Sequence, residues 1–138
     1  MTGLKDIVLL VGRLLLALIF VHEGYTLITH FAGGAAYMAK QGISVPVFVL
    51  VIALQLGAGL ALVVGLLARL GALGLGLFCL GTAFMFHTNF ADQNELLHFE
   101  KDLGIAGGMF TLMTVGAGAI SLDHFVEPWL MRLIKRQA

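Results

Sequence analysis

Residues 41–68 read QGISVPVFVLVIALQLGAGLALVVGLLA without one charged side chain, and from Val45 to Leu67 almost every position is apolar. A helix of about 20 residues, rising 1.5 Å per residue, crosses the ~30 Å hydrocarbon core of a bilayer. This stretch is long enough to do so, and a span over 45–67 is expected. Ser44, Val45 and Pro46 mark its start, because a serine oxygen can accept from the free N–H groups of a first turn and proline is tolerated there.

A second charge-free run, Leu70 to Ala91, is separated from the first by Arg69 alone, which predicts a tight helical hairpin and a span over 70–89. A third run, Leu103 to Leu122, predicts a span over 102–122. The stretch 7–28 is apolar apart from Arg13, His22 and Glu23 and is also long enough to cross. Arg13 interrupts it and no small-x-small cleavage site closes it, so it reads as a retained span rather than a signal peptide. An unpaired backbone group in lipid costs several kcal/mol, and no alternating barrel pattern occurs, so every span is a helix. The expected fold is all-α: one membrane domain over 1–138, a bundle of four transmembrane helices.

Composition agrees. A hydrophobic fraction of 59% with only 12% charged residues and a mean hydropathy of +0.99 lies far from the roughly 25% charged residues of a soluble domain. The formal net charge of zero excludes the basic footprint of a nucleic-acid binder. The single cysteine, Cys79, excludes an intrachain disulfide and dithiol-exchange chemistry; a free cysteine among apolar residues reads as inert filling. Orientation follows from lysine and arginine. With the N-terminus inside, Lys5, Arg13, Arg69, Arg132, Lys135 and Arg136 face the cytoplasm and only Lys40 and Lys101 lie outside, so both termini are expected in the cytoplasm. Residues 30–42 predict a short structured segment at the outer interface, and 128–136 an amphipathic helix on an anionic leaflet, with a frayed tail as the bland alternative.

Eighteen glycines suit a membrane bundle, where close helix approach drives association. Gly57, Ala61 and Gly65 recur every fourth residue, as do Gly104 and Gly108, and these faces are expected at helix contacts within the chain; a homo-oligomer seam is the alternative.

Ionisable groups inside a span cost ~2.5 to 3.5 kcal/mol near the centre, so each calls for a partner or a task. Glu23 lies about five residues from the outer end of its span, roughly 7 to 8 Å deep, and Gln55 lies deeper at roughly 13 Å. His87 ends the third span on the same side, and His98, Glu100 and Lys101 lead into the fourth. One outer cluster is therefore expected, with Glu23, His87 and Lys101 as candidates for chemistry and His22, Glu23, Gln55, His87 and Lys101 as candidates for ligand binding. The competing reading pairs Glu23 with Lys101 or a histidine to hold helices together, and leaves His98 and Glu100 as wet loop residues. Arg13 is expected to snorkel to the cytoplasmic surface as an anchor, Arg69 to anchor the hairpin, and Asp123 to end the fourth span. No H-E-x-x-H or close histidine pair supports a metal site. Haem b between His22 and His87 has weaker support than a quinone, because two histidines on different spans are a nonspecific signal.

The run Arg13-Leu-Leu-Leu-Ala-Leu-Ile-Phe20 before Gly24, Gln55-Leu-Gly-Ala-Gly-Leu60 onward to Gly65 and Arg69, His87-Thr-Asn-Phe90, Phe99-Glu-Lys-Asp-Leu103 with Gly107 and Gly108, and Gly116-Ala-Gly118-Ala-Ile-Ser121-Leu-Asp123 together resemble the bacterial DoxX family. The resemblance covers roughly residues 8–123. It implies a multi-pass protein of the bacterial inner membrane, linked by the family name to the small DoxD-type subunit of thiosulfate:quinone oxidoreductases. By position, Arg13, Gly24, His87, Lys101, Ser121 and Asp123 look family-typical. The chain departs from the pattern at Gln55, where an acid is common, and at Leu27, where a basic residue is common. The leading expectation is an integral subunit of a quinone-linked oxidoreductase system acting with a redox partner protein. Two alternatives stand beside it: a small proton-coupled transporter using Glu23, and a non-catalytic scaffold or stress-associated membrane protein.

Overall fold

The structure, a computed structural model, describes residues 3–137, with side chains over 3–129. Among these residues it is wholly helical. Six helices follow in order: α1 (Leu4–Thr29), α2 (Phe31–Lys40), α3 (Val45–Val64), α4 (Ala68–Phe86), α5 (Gln93–Val115) and α6 (Leu122–Gln137). Two of them, α3 and α4, are long and apolar enough to cross a membrane. Helices α1, with 26 residues, and α5, with 23, match or exceed them in length but carry charges. Large apolar side chains face outward along the bundle, among them Leu15 and Leu18 on α1, Leu50 on α3, and Leu70, Leu77 and Phe84 on α4, all more than half exposed. Such a belt is tolerable only where the surrounding solvent is itself apolar.

The bundle is built from two tight pairs. Helix α4 packs most extensively on α5, α1 on α3, and the α3–α4 contact joins the pairs. On α4 the buried positions Ala68, Ala72, Gly76, Cys79 and Ala83 form a small-residue stripe, which lets α5 approach closely. A Cβ at Gly76 would stand 2.8 Å from Phe110 and 3.2 Å from Met109 Cβ. In the other pair, Gly24 admits the Leu56 backbone and Gly59 admits Phe20 and Val21; a Cβ at Gly24 would lie 3.0 Å from Leu56 N.

The expected glycine faces are thus corrected. Nothing lies within 4 Å of a Cβ built at Gly57 or Gly104. The inward face of α3 is Ile52, Gln55, Gly59 and Leu62, one helical face away from Gly57. Gly65 and Gly108 do make contacts, the latter with Leu16.

Boundaries shift for identifiable reasons. Gly65 ends α3 in the left-handed conformation, φ 71°, the ordinary glycine stop, and Leu67 follows at φ 50°. The hairpin therefore turns over 65–67, and Arg69 lies in the first turn of α4 rather than in the connection. Ser44 is the N-cap of α3, but its hydroxyl makes no cap bond. Helix α5 starts at Gln93, earlier than the expected 102, because Asp92 accepts from Asn94 N at 2.9 Å and caps it. It stops at Val115, where Gly116 and Gly118 take φ of 87° and 80° and fold 116–121 back across the end of the bundle. The short structured segment expected over 30–42 is a helix, α2. The expected C-terminal helix is part of α6, which begins at Leu122 and carries Pro128 inside it; of the 128–136 segment, side chains beyond Trp129 lie outside those described.

Candidate functional site: a polar-lined cavity between the helix pairs

The two ends of the bundle differ in construction. At the end holding the α1–α2 and α4–α5 connections, the helix pairs diverge around a cavity of about 390 Å³. Helix α1 contributes Phe20, Glu23 and Leu27, α2 contributes Tyr37 and Met38, and α3 contributes Gln55; α4 supplies Cys79, Thr82 and Phe86, with His87 next in the chain, and α5 supplies His98 and Asp102. The walls are mostly apolar, and the polar groups come from all four long helices or their ends.

Helical spacing explains the convergence. Cys79, Thr82 and Phe86 are three and four residues apart, as His98 and Asp102 are four apart, so each set shares a helix face. Thr82 Oγ1 donates to Asp102 Oδ2 at 2.8 Å and joins α4 to α5 inside the cavity wall. His87 Nδ1 lies 2.9 Å from Glu95 Oε2, and its ring stacks on His98 with centroids 5.1 Å apart. Tyr37 stacks on Phe86 and thereby holds α2 against the mouth. Gln55 is 4% exposed and lines the cavity. Among the described residues no group hydrogen-bonds its amide, nor does Glu23 have an ion-pair partner.

Of the residues expected to cluster, Glu23, Gln55 and His87 border this cavity, Gln55 buried, His87 half-buried and Glu23 at its exposed rim. Lys101 and His22 do not: both are exposed and neither lines it. The expected Glu23–Lys101 pair is therefore not formed; the ion pair seen here is His87–Glu95. Nor do His22 and His87 face each other across a shared space, so the arrangement offers no two-histidine seat for haem. No cluster of three or more metal-binding side chains occurs among the described residues. His98, expected to be a wet loop residue, lines the cavity, whereas Glu100 is exposed. Asp102, Thr82 and Tyr37 were not expected at all. The sequence carried one signal for Asp102, its four-residue spacing from His98.

The opposite end, where the termini lie, is closed by a polar junction. Arg13 is 2% exposed and does not snorkel. Its Nη1 donates to Ala117 O at 2.7 Å, and its Nη2 to Ile120 O at 3.0 Å and Val63 O at 3.4 Å. Arg69 donates to the carbonyls of Met113, Thr114 and Val115. Arg69 thus satisfies carbonyls at the C-terminus of α5, where the macrodipole also favours a cation, whereas Arg13 holds the 116–121 loop to Val63 near the end of α3. Asp123 does not end a span; its Oδ1 and Oδ2 accept from Leu67 N at 2.7 Å and Ala68 N at 2.9 Å, capping α4. Asp123 N in turn donates to Gly65 O at 2.9 Å. Asp6 accepts from Ala119 N at 3.0 Å and from Gly3 N at 3.2 Å. These backbone donors, Ala119 first and then Gly3, hold its carboxyl below the ordinary value of 3.8, with smaller help from Lys5 and His124.

Comparison with known proteins identifies the family. The DoxX family profile matches residues 8–88. The chain is 41% identical over 127 residues to the inner membrane protein YqjF of Escherichia coli (strain K12), covering 92% of this chain and 98% of that one. It is 32% identical over 127 residues to the inner membrane protein YphA of the same organism, covering 87% and 91%. No solved structure matches it. The matched region contains Arg13, Glu23, Gln55, Cys79, Thr82 and His87, and so includes much of the cavity and half of the junction. The chain belongs to the DoxX family and is a protein of the bacterial inner membrane.

Proposed function

We propose that the cavity binds the polar head of an amphipathic molecule drawn from the bilayer, and that the chain does so as an integral subunit working with a partner protein. Helices α1, α3, α4 and α5 each cross the membrane, with both termini in the cytoplasm and the cavity in the outer half. The bias of six lysines and arginines against two supports that orientation.

The observation that carries the reading is Gln55. A polar side chain on an otherwise apolar helix calls for a partner or a task. Gln55 is retained at 4% exposure on an otherwise apolar α3 and turned into a space shared with Thr82, His87 and Asp102. An apolar slot with a few convergent hydrogen-bonding groups is the usual design of a small-molecule site.

A quinone head fits that design. Its two carbonyl oxygens require donors, which the Gln55 amide and the neighbouring imidazole groups of His87 and His98 offer. The resemblance to subunits of quinone-linked oxidoreductases supports the same ligand. The all-helical chain carries no strand-turn-helix motif for a dinucleotide, so electrons would come from a redox partner protein.

The second reading, a proton-coupled carrier, is favoured by one observation: Glu23 lines the cavity without an ion-pair partner. Against it stands the closed end. Leu62, Ala68, Ala72 and Leu75 are wholly buried below the cavity, and Arg13 ties the junction shut beneath them.

The test is purification in a mild non-ionic detergent, followed by an absorbance spectrum and analysis of the co-extracted lipids. Stoichiometric quinone, lost in Gln55→Leu at unchanged yield, is the expected result for the quinone reading. Proton-coupled efflux abolished by Glu23→Gln would instead establish the carrier. A protein that retains no amphipathic molecule and gains no thermal stability from any added one contradicts the binding reading.

A further inference from the structure

The charge of the cavity narrows the ligand further. Its lining includes two carboxyl groups, Glu23 on α1 and Asp102 on α5, and no lysine or arginine. The nearest cation in sequence, Lys101, points to the exterior. His87 is already paired with Glu95 at 2.9 Å, so any positive charge on that ring is met outside the lining. Asp102 has one oxygen engaged by Thr82 at 2.8 Å. Glu23 has no ion-pair partner among the described residues. Arg13 and Arg69 are committed to backbone carbonyls at the far end, and Lys5 lies in the first turn of α1 at that same end.

A carboxylate bordering an apolar, membrane-embedded space is best compensated there by a cation. The rest of the lining suits a cation. Phe20, Tyr37, Phe78 and Phe86 all border the cavity, and the negative face of an aromatic ring attracts an ammonium group. The unpartnered Gln55 amide, buried to 4% exposure, presents a carbonyl oxygen that can accept from a protonated amine. An anionic head would face both carboxyls with no compensating donor charge. A neutral head would leave both without a counter-charge.

From this juxtaposition we infer that the cavity selects a lipophilic cation: a protonated amine or quaternary ammonium on an apolar or aromatic body, with its charge between Glu23 and Asp102 and its body along the Phe20, Phe78 and Phe86 wall. The inference rests on the reading of the cavity as a ligand site and specifies the charge of what enters it.

The experiment uses the full chain in nanodiscs of zwitterionic lipid, with empty nanodiscs subtracted, and four probes titrated at neutral pH. Three are matched in shape: 4-phenylbutylamine, 4-phenylbutanol and 4-phenylbutyrate, which are cationic, neutral and anionic. The fourth is a decyl-substituted benzoquinone. The expected result is that the amine binds at least tenfold more tightly than the alcohol, with the butyrate weakest. Glu23→Gln and Asp102→Asn should each weaken the amine threefold or more and leave the alcohol within twofold. Equal or tighter binding of the alcohol, the quinone or the butyrate overturns the cationic preference while leaving a binding cavity in place. Failure of all four to saturate overturns the cavity reading and this inference together. The ranking on the unsubstituted protein decides the matter even where a variant does not fold.

Discussion

Arg13 Nη1 donates to the carbonyl of Ala117 at 2.7 Å across 104 residues of sequence, and this one bond joins the first long helix to the loop that follows the last. The same guanidinium reaches Ile120 and Val63, so a single side chain gathers α1, α3 and the 116–121 loop. Because Arg13 is buried, its removal leaves carbonyls without donors in a medium that offers few others. The bond thus explains why the end near the termini is closed while the other end opens into a cavity.

Arg13→Lys is expected to destabilise the protein by about 3 kcal/mol, since an ammonium cannot supply the planar fork that meets carbonyls in three directions. Thermal unfolding in detergent, read by circular dichroism, checks this. A lysine variant as stable as the parent would show that positive charge alone suffices.

Asp123→Ala should cost about 2 kcal/mol, because it strips the cap from Leu67 N and Ala68 N at the start of α4. Leu67 is at φ 50°, an unfavourable conformation for leucine that the cap helps to hold. Asp123→Asn, which retains one acceptor oxygen, should recover part of the loss in the same unfolding assay.

Two glycines on α3 and at its end should respond oppositely to alanine. At Gly65, φ 71°, a Cβ would stand 2.5 Å from Ser121 Cβ and 2.6 Å from Arg13 Nη1, so Gly65→Ala is expected to cost about 2 kcal/mol or more. At Gly57 nothing lies within 4 Å, so Gly57→Ala should be neutral or slightly stabilising, by up to about 1 kcal/mol, from helix propensity. A loss at Gly57 as large as at Gly65 would place that face at a contact absent from this bundle.

The long apolar helices and the tight α3–α4 hairpin were legible in the sequence, because an unbroken run such as Val45–Val64 admits one interpretation. The meeting of Glu23, Gln55 and His87 was legible from depth along each helix. The partners of Arg13 were not, since counting residues along α1 places it near a surface and gives no sign that the 116–121 loop folds back over it. Asp102 was obscured by its neighbours: the succession Glu100, Lys101 and Asp102 does not show which charge turns inward, and only helical rotation separates the exposed Lys101 from the cavity-lining Asp102. Gly57 and Gly59 illustrate the same ambiguity: Gly57 recurs with Ala61 and Gly65 at every fourth residue, yet it is Gly59 that meets α1 in the packed bundle.

Stability should fall in acid partly through Asp6. Its folded-state pKa is depressed by the backbone donors of Ala119 and Gly3, so the ionised group contributes stability above its ordinary value of 3.8, and that contribution is lost as pH falls through the folded value. Asp6→Asn should therefore lower Tm at pH 7, and the difference from the parent should shrink toward zero well below pH 3.8. A difference that persists unchanged in strong acid would mean that Asp6 acts through its shape rather than its charge.

The central claim, that the space between Glu23, Gln55 and Asp102 receives a membrane-dissolved molecule, is tested most directly by photolabelling. A lipophilic amine bearing a diazirine is irradiated with the protein in nanodiscs, and the modified residues are mapped by mass spectrometry with and without excess unlabelled amine. The account predicts competable labelling confined to cavity-lining residues such as Phe20, Met38, Cys79 and Phe86. Labelling spread over outward side chains such as Leu18, Leu50 and Leu77, and insensitive to competitor, would contradict it.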